Sequence, residues 1–392
     1  MGESSTNNGS IKRVLILLSA ALLSGCAAHS FPLVNHFVAP VEASCAITSA
    51  VGCTADNVVQ VFSDTNGTLY PSGWRSYFHP QVSKKHPGEG HWIAGSLLAQ
   101  SGHRSKFRSL IEHDEQRQLN EISTFSAQHK RIFILVHGFN APMESTNLPY
   151  EMVEADLDLK PSDGVIRFYW DGRVGTGVGA LNIWLKAAND SQVVGSRGLR
   201  EVLNHMQGRE VYVIAHSRGA SVIMSALGNP VYESKFLTTA TNRALRWGKA
   251  YGALLSPDAL VDQGNSIHII MLAPAIDRID FCDASEQPFS SKKFVCKKFR
   301  PLGSQVKSFS YTVNSGDPIL GKSIFSSQAL KPTGLGYRAD IGRDLKAENY
   351  PLFRAYEFEK PESFHGFKDY IAHPIFMQML TDAGIAKPQT GK

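Results

Sequence analysis

From residue 131 onwards, short and nearly continuous apolar runs alternate with stretches of helical spacing. Runs of this kind, rich in β-branched and aromatic residues, are typical of strands buried on both faces of a sheet. The runs cover residues 131–136, 165–170, 211–215, 267–272, 308–313 and 353–358. The stretches with helical spacing cover residues 147–158, 180–206, 218–227 and 367–384. The alternation predicts parallel βαβ units within one α/β domain.

The pattern is less regular elsewhere. Residues 57–67 have strand character followed by turn residues, and residues 104–128 place apolar side chains at the spacing of an amphipathic helix. Residues 71–103 contain proline, glycine and histidine without a clear period, which predicts a loop. Residues 229–264 are longer than a plain connection needs, which predicts a lid or flank over a pocket. The glycine-rich residues 332–343 are expected to be irregular.

The N-terminus has the pattern of an export signal. Lys12 and Arg13 precede an apolar run, residues 14–23, which is too short to span a bilayer but fits the apolar region of a signal peptide. The run ends in Leu23-Ser24-Gly25-Cys26, which resembles the lipobox of bacterial lipoproteins. An ordinary secretory signal cleaved near Ala28 is the alternative.

The lipobox resemblance implies that Cys26 is diacylated and becomes the new N-terminus, so that a lipid membrane is a partner. Ala27 follows Cys26 where an aspartate would imply inner-membrane retention, so the resemblance implies the outer membrane, facing the periplasm. The predicted organisation is then a signal peptide at residues 1–25, a tether at 26–56 and a folded domain at 57–392, with its core at about 130–385.

Composition supports a folded domain and excludes some partners. The 392 residues are 43% hydrophobic and 19% charged, enough apolar content for a large core. The formal net charge is +5, and removal of residues 1–25 leaves 38 basic against 34 acidic residues, or +4. The basic stretch at residues 292–300 is too short for a nucleic-acid tract, so no nucleic-acid partner is expected.

Five cysteines add a constraint on the fold: Cys26, Cys45, Cys53, Cys282 and Cys296. With Cys26 taken by lipid, the other four form two local pairs, eight and fourteen residues apart. In an oxidising compartment this count predicts two disulfides that close small loops, and local pairing is favoured among the three arrangements possible. A zinc site fits the spacings less well, and free buried thiols are the remaining alternative.

Polar and small residues follow several of the apolar runs. Function in an open parallel sheet lies outside the carboxyl ends of the strands. The first run is followed by His137-Gly138-Phe139-Asn140, the third by Ser217 within A-H-S-R-G, the fifth by Asn314-Ser315-Gly316-Asp317 and the sixth by His365. The order Ser, Asp, His resembles the α/β-hydrolase fold.

The H-G-F-N and A-H-S-R-G motifs resemble those of a bacterial α/β-hydrolase family of unknown function whose members carry H-G-F-N and A-H-S-x-G. The resemblance covers residues 57–380, weakly before residue 131. Two departures are visible. Ala215 replaces the first glycine of G-x-S-x-G, which that family tolerates, and Arg218 stands where methionine is commoner. Arg218 predicts a more polar pocket floor.

The resemblance implies a catalytic triad. Ser217 would be the nucleophile on a tight strand-to-helix turn, for which small residues such as Gly219 are needed. His365 would be the general base, and Asp317 would orient its imidazole. The backbone N–H groups of Phe139 and Arg218 would bind the developing oxyanion.

Alternatives exist for several of these roles. Asp277, with Asp280 behind it, follows the preceding strand and is an alternative acid. His373, before Pro374, and His216, beside the nucleophile, compete with His365 for the role of base. We expect His373 to cap or pack and His216 to point away from the pocket.

Three further residues are expected to have structural roles. His137 should brace the oxyanion turn and Asn140 should satisfy its backbone, whereas Trp170, in the Trp170-Asp171-Gly172 stretch, is expected to be a buried aromatic.

No metalloprotease, EF-hand, P-loop or dinucleotide-binding motif occurs, so no metal and no cofactor are implied. The expected function is a membrane-anchored serine hydrolase that acts on a carboxylic ester or thioester, lipid-like or small, through an acyl-enzyme. An envelope lipoprotein that uses a hydrolase-like domain for binding, and an acyltransferase, are the alternatives. The pattern does not indicate an oligomeric state.

Overall fold

The computed structural model describes residues 57–70, 104–141, 143–173, 178–238, 259–286, 295–321, 333–348 and 350–388. The predicted signal peptide and tether, the predicted loop at residues 71–103 and the middle of the predicted lid lie outside these ranges. Cys26, Cys45 and Cys53 lie outside them as well.

The described strands form one eight-stranded sheet with the order β2-β1-β4-β3-β5-β6-β7-β8. The strands are β1 (Val58–Ser63), β2 (Leu69–Tyr70), β3 (Arg131–Val136), β4 (Asp163–Trp170), β5 (Glu210–His216), β6 (Ser266–Leu272), β7 (Val306–Val313) and β8 (Phe353–Glu357). All neighbouring strands are parallel except the short β2, which pairs antiparallel with β1 at the edge. The α/β fold with a mostly parallel sheet is therefore confirmed.

Helices cover the sheet. They are α1 (Arg104–Gln128), α2 (Met143–Asp156), α3 (Val178–Val193), α4 (Arg200–Asn204), α5 (Gly219–Leu227), α6 (Ala339–Glu348), α7 (Phe367–Ala372) and α8 (Pro374–Asp382). A π-helical segment, Val194–Leu199, joins α3 to α4, and a 3-10 turn, Arg278–Phe281, follows β6. None of the helices in the described ranges is both long and apolar enough to cross a bilayer.

Side chains of each strand point alternately to two hydrophobic cores. On β3, Phe133 and Leu135 enter one core, whereas Ile132, Ile134 and Val136 enter the other. This two-residue period explains why the strands are continuously apolar in sequence, since both faces are buried. The first core also takes side chains from α2, α7 and α8, and the second takes side chains from α1, α4, α5 and α6.

The helices depart from prediction at three places. The stretch 180–206 is divided by the π-helical segment, and the stretch 367–384 is divided between α7 and α8 at His373. Pro374 causes the second break, because it has no N–H to continue α7 and disfavours helical geometry at the residue before it. The third departure is α6, which lies partly in a stretch expected to be irregular, residues 332–343, and begins at Ala339.

Candidate active site

Ser217 lies in the turn between β5 and α5, with a backbone φ of 52°. Left-handed backbone is unfavourable for a residue with a side chain and persists only where the surroundings impose it. The Ser217 N–H donates to the carbonyl of Leu272 at 2.9 Å, and the Ser217 carbonyl accepts from the N–H of Ala275 at 3.1 Å. These bonds to the last residue of β6 and to the chain after it hold the turn in its strained form.

Two glycines allow other chain segments to approach Ser217. A Cβ on Gly219 would lie 2.7 Å from the carbonyl oxygen of Val136, and one on Gly138 would lie 2.9 Å from the Cβ of Ser217. Both distances are shorter than real Cβ contacts allow, so a side chain at either position would push β3 away from the serine turn. The glycines of both motifs are therefore required by packing.

The structure brings Ser217, His365 and Asp317 into one chain of hydrogen bonds. Nε2 of His365 is 2.9 Å from Oγ of Ser217, and Nδ1 is 2.7 Å from Oδ2 of Asp317. The carboxylate accepts from Nδ1–H, which leaves Nε2 unprotonated and able to accept from the serine hydroxyl. His365 reaches this position from the loop between β8 and α7, and Asp317 from the turn after β7.

Asp317 is buried yet held as a carboxylate. Burial by itself would raise the pKa of Asp317. The hydrogen bond and charge of His365, the N–H of Leu320 and the hydroxyl of Tyr370 outweigh burial and keep the pKa of Asp317 below its ordinary value. Oδ1 accepts from the N–H groups of Ile319 and Leu320 at 2.9 and 3.0 Å. The carboxylate is thus fixed in place and stays ionised at neutral pH.

Asp277, the alternative acid, has a different environment. Its Oδ1 accepts from the N–H of Arg278 at 2.7 Å and its Oδ2 from the N–H of Gly334 at 3.2 Å. The side chain thereby caps the 3-10 turn after β6, in a capping box with Asp280. Arg278 forms its ion pair with Asp344, not with Asp277. Asp277 is committed to the backbone, and His365 contacts Asp317.

Two backbone N–H groups beside Ser217 are available to a ligand. Within the described residues, the amides of Phe139 and Arg218 have no hydrogen-bond acceptor. Phe139 follows β3 and Arg218 starts α5, whose N-terminus carries partial positive charge. The arrangement can accept an oxyanion formed on a carbonyl bound at Ser217.

His137 braces the turn that carries Phe139. The N–H of Trp170 donates to Nε2 of His137 at 3.1 Å, and Nδ1 of His137 donates to the Gly138 carbonyl at 2.8 Å. Burial lowers the pKa of His137 to about 4, so the ring is neutral, as both contacts require. Trp170 is fully buried and its Nε1 donates to the His137 carbonyl at 2.7 Å. Asn140 has a φ of 52°, and its N–H donates to the Gly172 carbonyl at 3.1 Å.

His216 lies closer to the triad than the sequence predicted. Its ring is 5.1 Å from the ring of His365 and stacks on Phe367. Burial, with the neighbouring His365, lowers the pKa of His216 to about 3. The neutral ring donates from Nε2 to the carbonyl oxygen of His365 at 2.8 Å. His216 therefore positions the backbone of His365.

Sequence reasoning missed two tyrosines that support the site. The hydroxyl of Tyr370, on α7, donates to Oδ2 of Asp317 at 2.9 Å. The hydroxyl of Tyr150, on α2, accepts from the N–H of His137 at 2.9 Å and donates to the Phe168 carbonyl at 2.7 Å. Tyr370 lies in the first helix after His365, which is the one signal that could have indicated it. Nothing in the local pattern distinguishes Tyr150 from a core residue.

The other predicted residues have structural roles. His373 caps α8, because its Nδ1 accepts from the N–H of Ile375 at 3.2 Å. Cys282 and Cys296 form a disulfide that closes a loop of sequence separation 14, in agreement with local pairing.

Comparison with known proteins identifies the family. The model of a family described as "Alpha/beta hydrolase of unknown function (DUF900)" matches residues 111–325, more than half of the chain. The chain belongs to this family.

The match to the DUF900 family includes Phe139, Ser217, Arg218 and Asp317, and it ends before His365. Among solved structures, the chain is similar to the apo form of Thermogutta terrifontis esterase 2, with 11% identity and a TM-score of 0.32 over 67% of this chain and 87% of that chain. No curated protein matches the chain. The protein is thus an α/β hydrolase of a family whose reaction its description leaves open.

Proposed function

We propose that this protein is a lipid-anchored serine hydrolase that cleaves a carboxylic ester or thioester through an acyl-enzyme. The observation that carries the proposal is the unbroken chain of hydrogen bonds from Ser217 through His365 to Asp317. The two available N–H groups, of Phe139 and Arg218, support it, because an acyl-transfer site needs donors where negative charge develops.

In the first half of the reaction, Oγ of Ser217 attacks the substrate carbonyl carbon while Nε2 of His365 takes the hydroxyl proton. The carbonyl π bond breaks, and the resulting oxyanion accepts from the N–H groups of Phe139 and Arg218. Asp317 stabilises the imidazolium without taking its proton. Collapse of the tetrahedral intermediate breaks the bond to the alcohol or thiol, which leaves with the proton from His365.

Water completes the reaction in the second half. His365 removes a proton from water, which attacks the acyl-enzyme carbonyl. Collapse of the second tetrahedral intermediate breaks the bond to Oγ of Ser217, which takes the proton back from His365. The products are a carboxylic acid and an alcohol or thiol. An acyltransferase would differ only in the acceptor, since an alcohol would replace water.

The predicted location is part of the proposal. We place the protein in the cell envelope, anchored through acylated Cys26 and a tether at residues 26–56, most simply to the outer membrane facing the periplasm. The catalytic domain then spans residues 57–392. A substrate within reach of a lipid surface, either a small ester or a lipid-like one, follows from this placement.

Labelling with a fluorophosphonate probe tests the nucleophile. We expect the purified wild-type protein to be labelled covalently and the Ser217→Ala variant not to be. Ser225→Ala is the matched control, since Ser225 is also a buried serine, on α5, and its variant should still be labelled. Absence of labelling in the wild type, or labelling that survives Ser217→Ala, contradicts the enzyme proposal and favours a binding lipoprotein.

Two measurements define the reaction further. A series of p-nitrophenyl esters of rising chain length separates a short-chain esterase from a lipase. Product analysis with an added alcohol detects acyl transfer, and faster transfer to alcohol than to water identifies an acyltransferase.

Metabolic labelling with palmitate tests the anchor. Cys26→Ala should abolish incorporation, and Cys45→Ala, the control, should retain it. Continued labelling of the Cys26 variant refutes the lipobox.

A further inference from the structure

Arg218, directly after Ser217, carries a buried charge without a hydrogen-bond partner. The residue is 1% exposed, and within the described part of the chain none of its three guanidinium nitrogens has an acceptor. A guanidinium offers five N–H donors, and a buried ion is unfavourable unless it is paired and hydrogen-bonded. The fold by itself does not explain why an arginine occupies this position.

Two other buried arginines beside α5, unlike Arg218, have hydrogen-bond acceptors. Arg200 and Arg300 donate to the carbonyl oxygens of residues 224–226 at 2.6–2.8 Å, at the C-terminal end of the helix. Cations are favourable there, because the helix dipole is negative at that end. Arg218 lies at the opposite end, where the dipole is positive and adds to the unfavourable energy of the charge.

The carboxylate that attracts Arg218 does not form an ion pair with it. Asp280 attracts it through space, but no carboxylate of the described residues lies within ion-pair distance of its guanidinium. Asp280 instead accepts from the N–H of Asp277 at 3.0 Å and from the hydroxyl of Ser221 at 3.3 Å. Burial raises the pKa of Asp280 to about 6.

The guanidinium contacts an aromatic side chain that packs on the turn carrying Phe139. Its central carbon is 5.8 Å from the centroid of the Trp184 ring, and Trp184 packs edge-on against Phe139 with centroids 5.2 Å apart. His365 donates its proton to the leaving group, so the leaving group must lie on the side of β7 and β8. The acyl part of a bound substrate therefore extends away from His365, past the Phe139 turn.

We propose that the guanidinium of Arg218 binds a carboxylate on the acyl part of the substrate, so that the substrates are monoesters or monothioesters of dicarboxylic acids. The inference rests on the proposed function, since it names the substrate class of that site. A planar carboxylate matches the guanidinium fork and can satisfy two of its donors. The neighbouring carboxyl of Asp280 favours a singly charged group over a doubly charged phosphate.

Two matched esters test the inference. The first is mono-p-nitrophenyl glutarate, and the second is the p-nitrophenyl ester of 5-methylhexanoic acid, in which an isopropyl group of similar shape replaces the carboxylate. We expect the wild type to have a kcat/KM at least about tenfold higher for the glutarate, because a buried donor without its acceptor rejects the apolar analogue. Arg218→Met should reverse this ratio, and Arg218→Lys should give an intermediate ratio.

Two kinetic results overturn the inference. One is a wild-type preference for the neutral ester. The other is an equal loss on both esters in Arg218→Met, which would mean that the guanidinium acts on the oxyanion or on the fold.

Binding measured without catalysis separates this inference from the proposed function. Glutarate should raise the melting temperature of the Ser217→Ala variant and leave that of Ser217→Ala/Arg218→Met unchanged, whereas methyl 5-methylhexanoate, which has no carboxylate, should not raise that of Ser217→Ala. If fluorophosphonate labelling fails but glutarate binds through Arg218, the hydrolase proposal is wrong and the carboxylate site stands. If labelling succeeds and glutarate stabilises neither variant, the carboxylate site alone is wrong.

Discussion

Removal of the Arg218 charge should stabilise the folded protein. In Arg218→Met an apolar side chain of similar length replaces a guanidinium that has no partner among the described residues. Methionine suits this position, because it is flexible and packs well against an aromatic ring such as that of Trp184. A residue that lowers the stability of the fold and lies beside the proposed nucleophile is expected where function and stability compete.

The expected gain in the free energy of unfolding follows from the pKa of Arg218. Burial lowers the pKa of Arg218 from 12.5 to about 10, although Asp280 opposes the shift. A shift of this size corresponds to about 3 kcal/mol against the charged folded state. Loss of the contact with Trp184 removes about 1–2 kcal/mol of cation–π stabilisation. The variant should therefore gain about 1–2 kcal/mol, or about 2–5 °C in melting temperature.

The pH dependence of stability gives a second test of whether the Arg218 charge destabilises the folded protein. The folded pKa is below the unfolded one, so the penalty is fully present below pH 10 and disappears as the pH rises from about 10 towards 12.5. The stability difference between Arg218→Met and the wild type should thus be constant between about pH 8 and 9, above the range in which Asp280 titrates.

Urea denaturation at neutral pH measures the difference in free energy of unfolding. Arg338→Met is the control, because Arg338 is exposed and its surface pair with Asp340 should contribute less than about 1 kcal/mol. Arg218→Lys should gain nothing, since it retains a strongly hydrated charge. A lower free energy of unfolding in Arg218→Met than in the wild type would refute the reasoning, because it would mean that the folded protein stabilises the guanidinium.

Three further predictions concern the triad, a buried histidine and the disulfide. Asp317→Asn should lower kcat by about 10³–10⁴-fold. Asp277→Ala should keep its kcat and lose about 1 kcal/mol of stability, because Asp277 is a capping residue. Steady-state kinetics that reverse this pattern would assign the acid to Asp277. Burial lowers the pKa of His137 in the folded protein to about 4. The wild type should therefore lose about 1.4 kcal/mol of stability per pH unit, relative to His137→Gln, as the pH falls from 6.5 to 4. A pH-independent difference between the two proteins in urea denaturation would mean that the ring is charged in the folded protein. Cys296→Ser should lose about 2–4 kcal/mol of stability, and a reducing agent should bring the wild type to the same value; insensitivity to the reducing agent would mean that the disulfide contributes nothing.

Local pattern was sufficient for the strands. The apolar run at residues 131–136 coincides with β3, and the run at 267–272 lies within β6. A strand buried on both faces is apolar at most of its positions, so its limits are visible in the sequence itself. Because functional residues follow the carboxyl ends of such strands, the positions of Ser217 and His365 could be predicted as well.

Helix interiors were predicted less well, because packing decides them. The π-helical segment Val194–Leu199 includes Gly195, where a Cβ would lie 2.1 Å from the Val222 carbonyl of α5. The contact joins residues distant in sequence, so no local period in the chain indicates where α3 and α4 divide. The break between α7 and α8 is different, since Pro374 indicates it directly.

The sequence by itself determined the α/β class, the strand limits, the strained serine turn and a short set of candidate residues, because these depend on neighbours within a few positions. Only the tertiary structure distinguishes the surroundings of Asp317 and Asp277, since both follow strands and of the two it is Asp317 that contacts His365. It also decided the role of His216, the support from Tyr370 and the isolation of the Arg218 charge. Each depends on which side chains the folded sheet brings within a few ångströms, and a linear pattern of hydrophobic and polar residues does not contain that information.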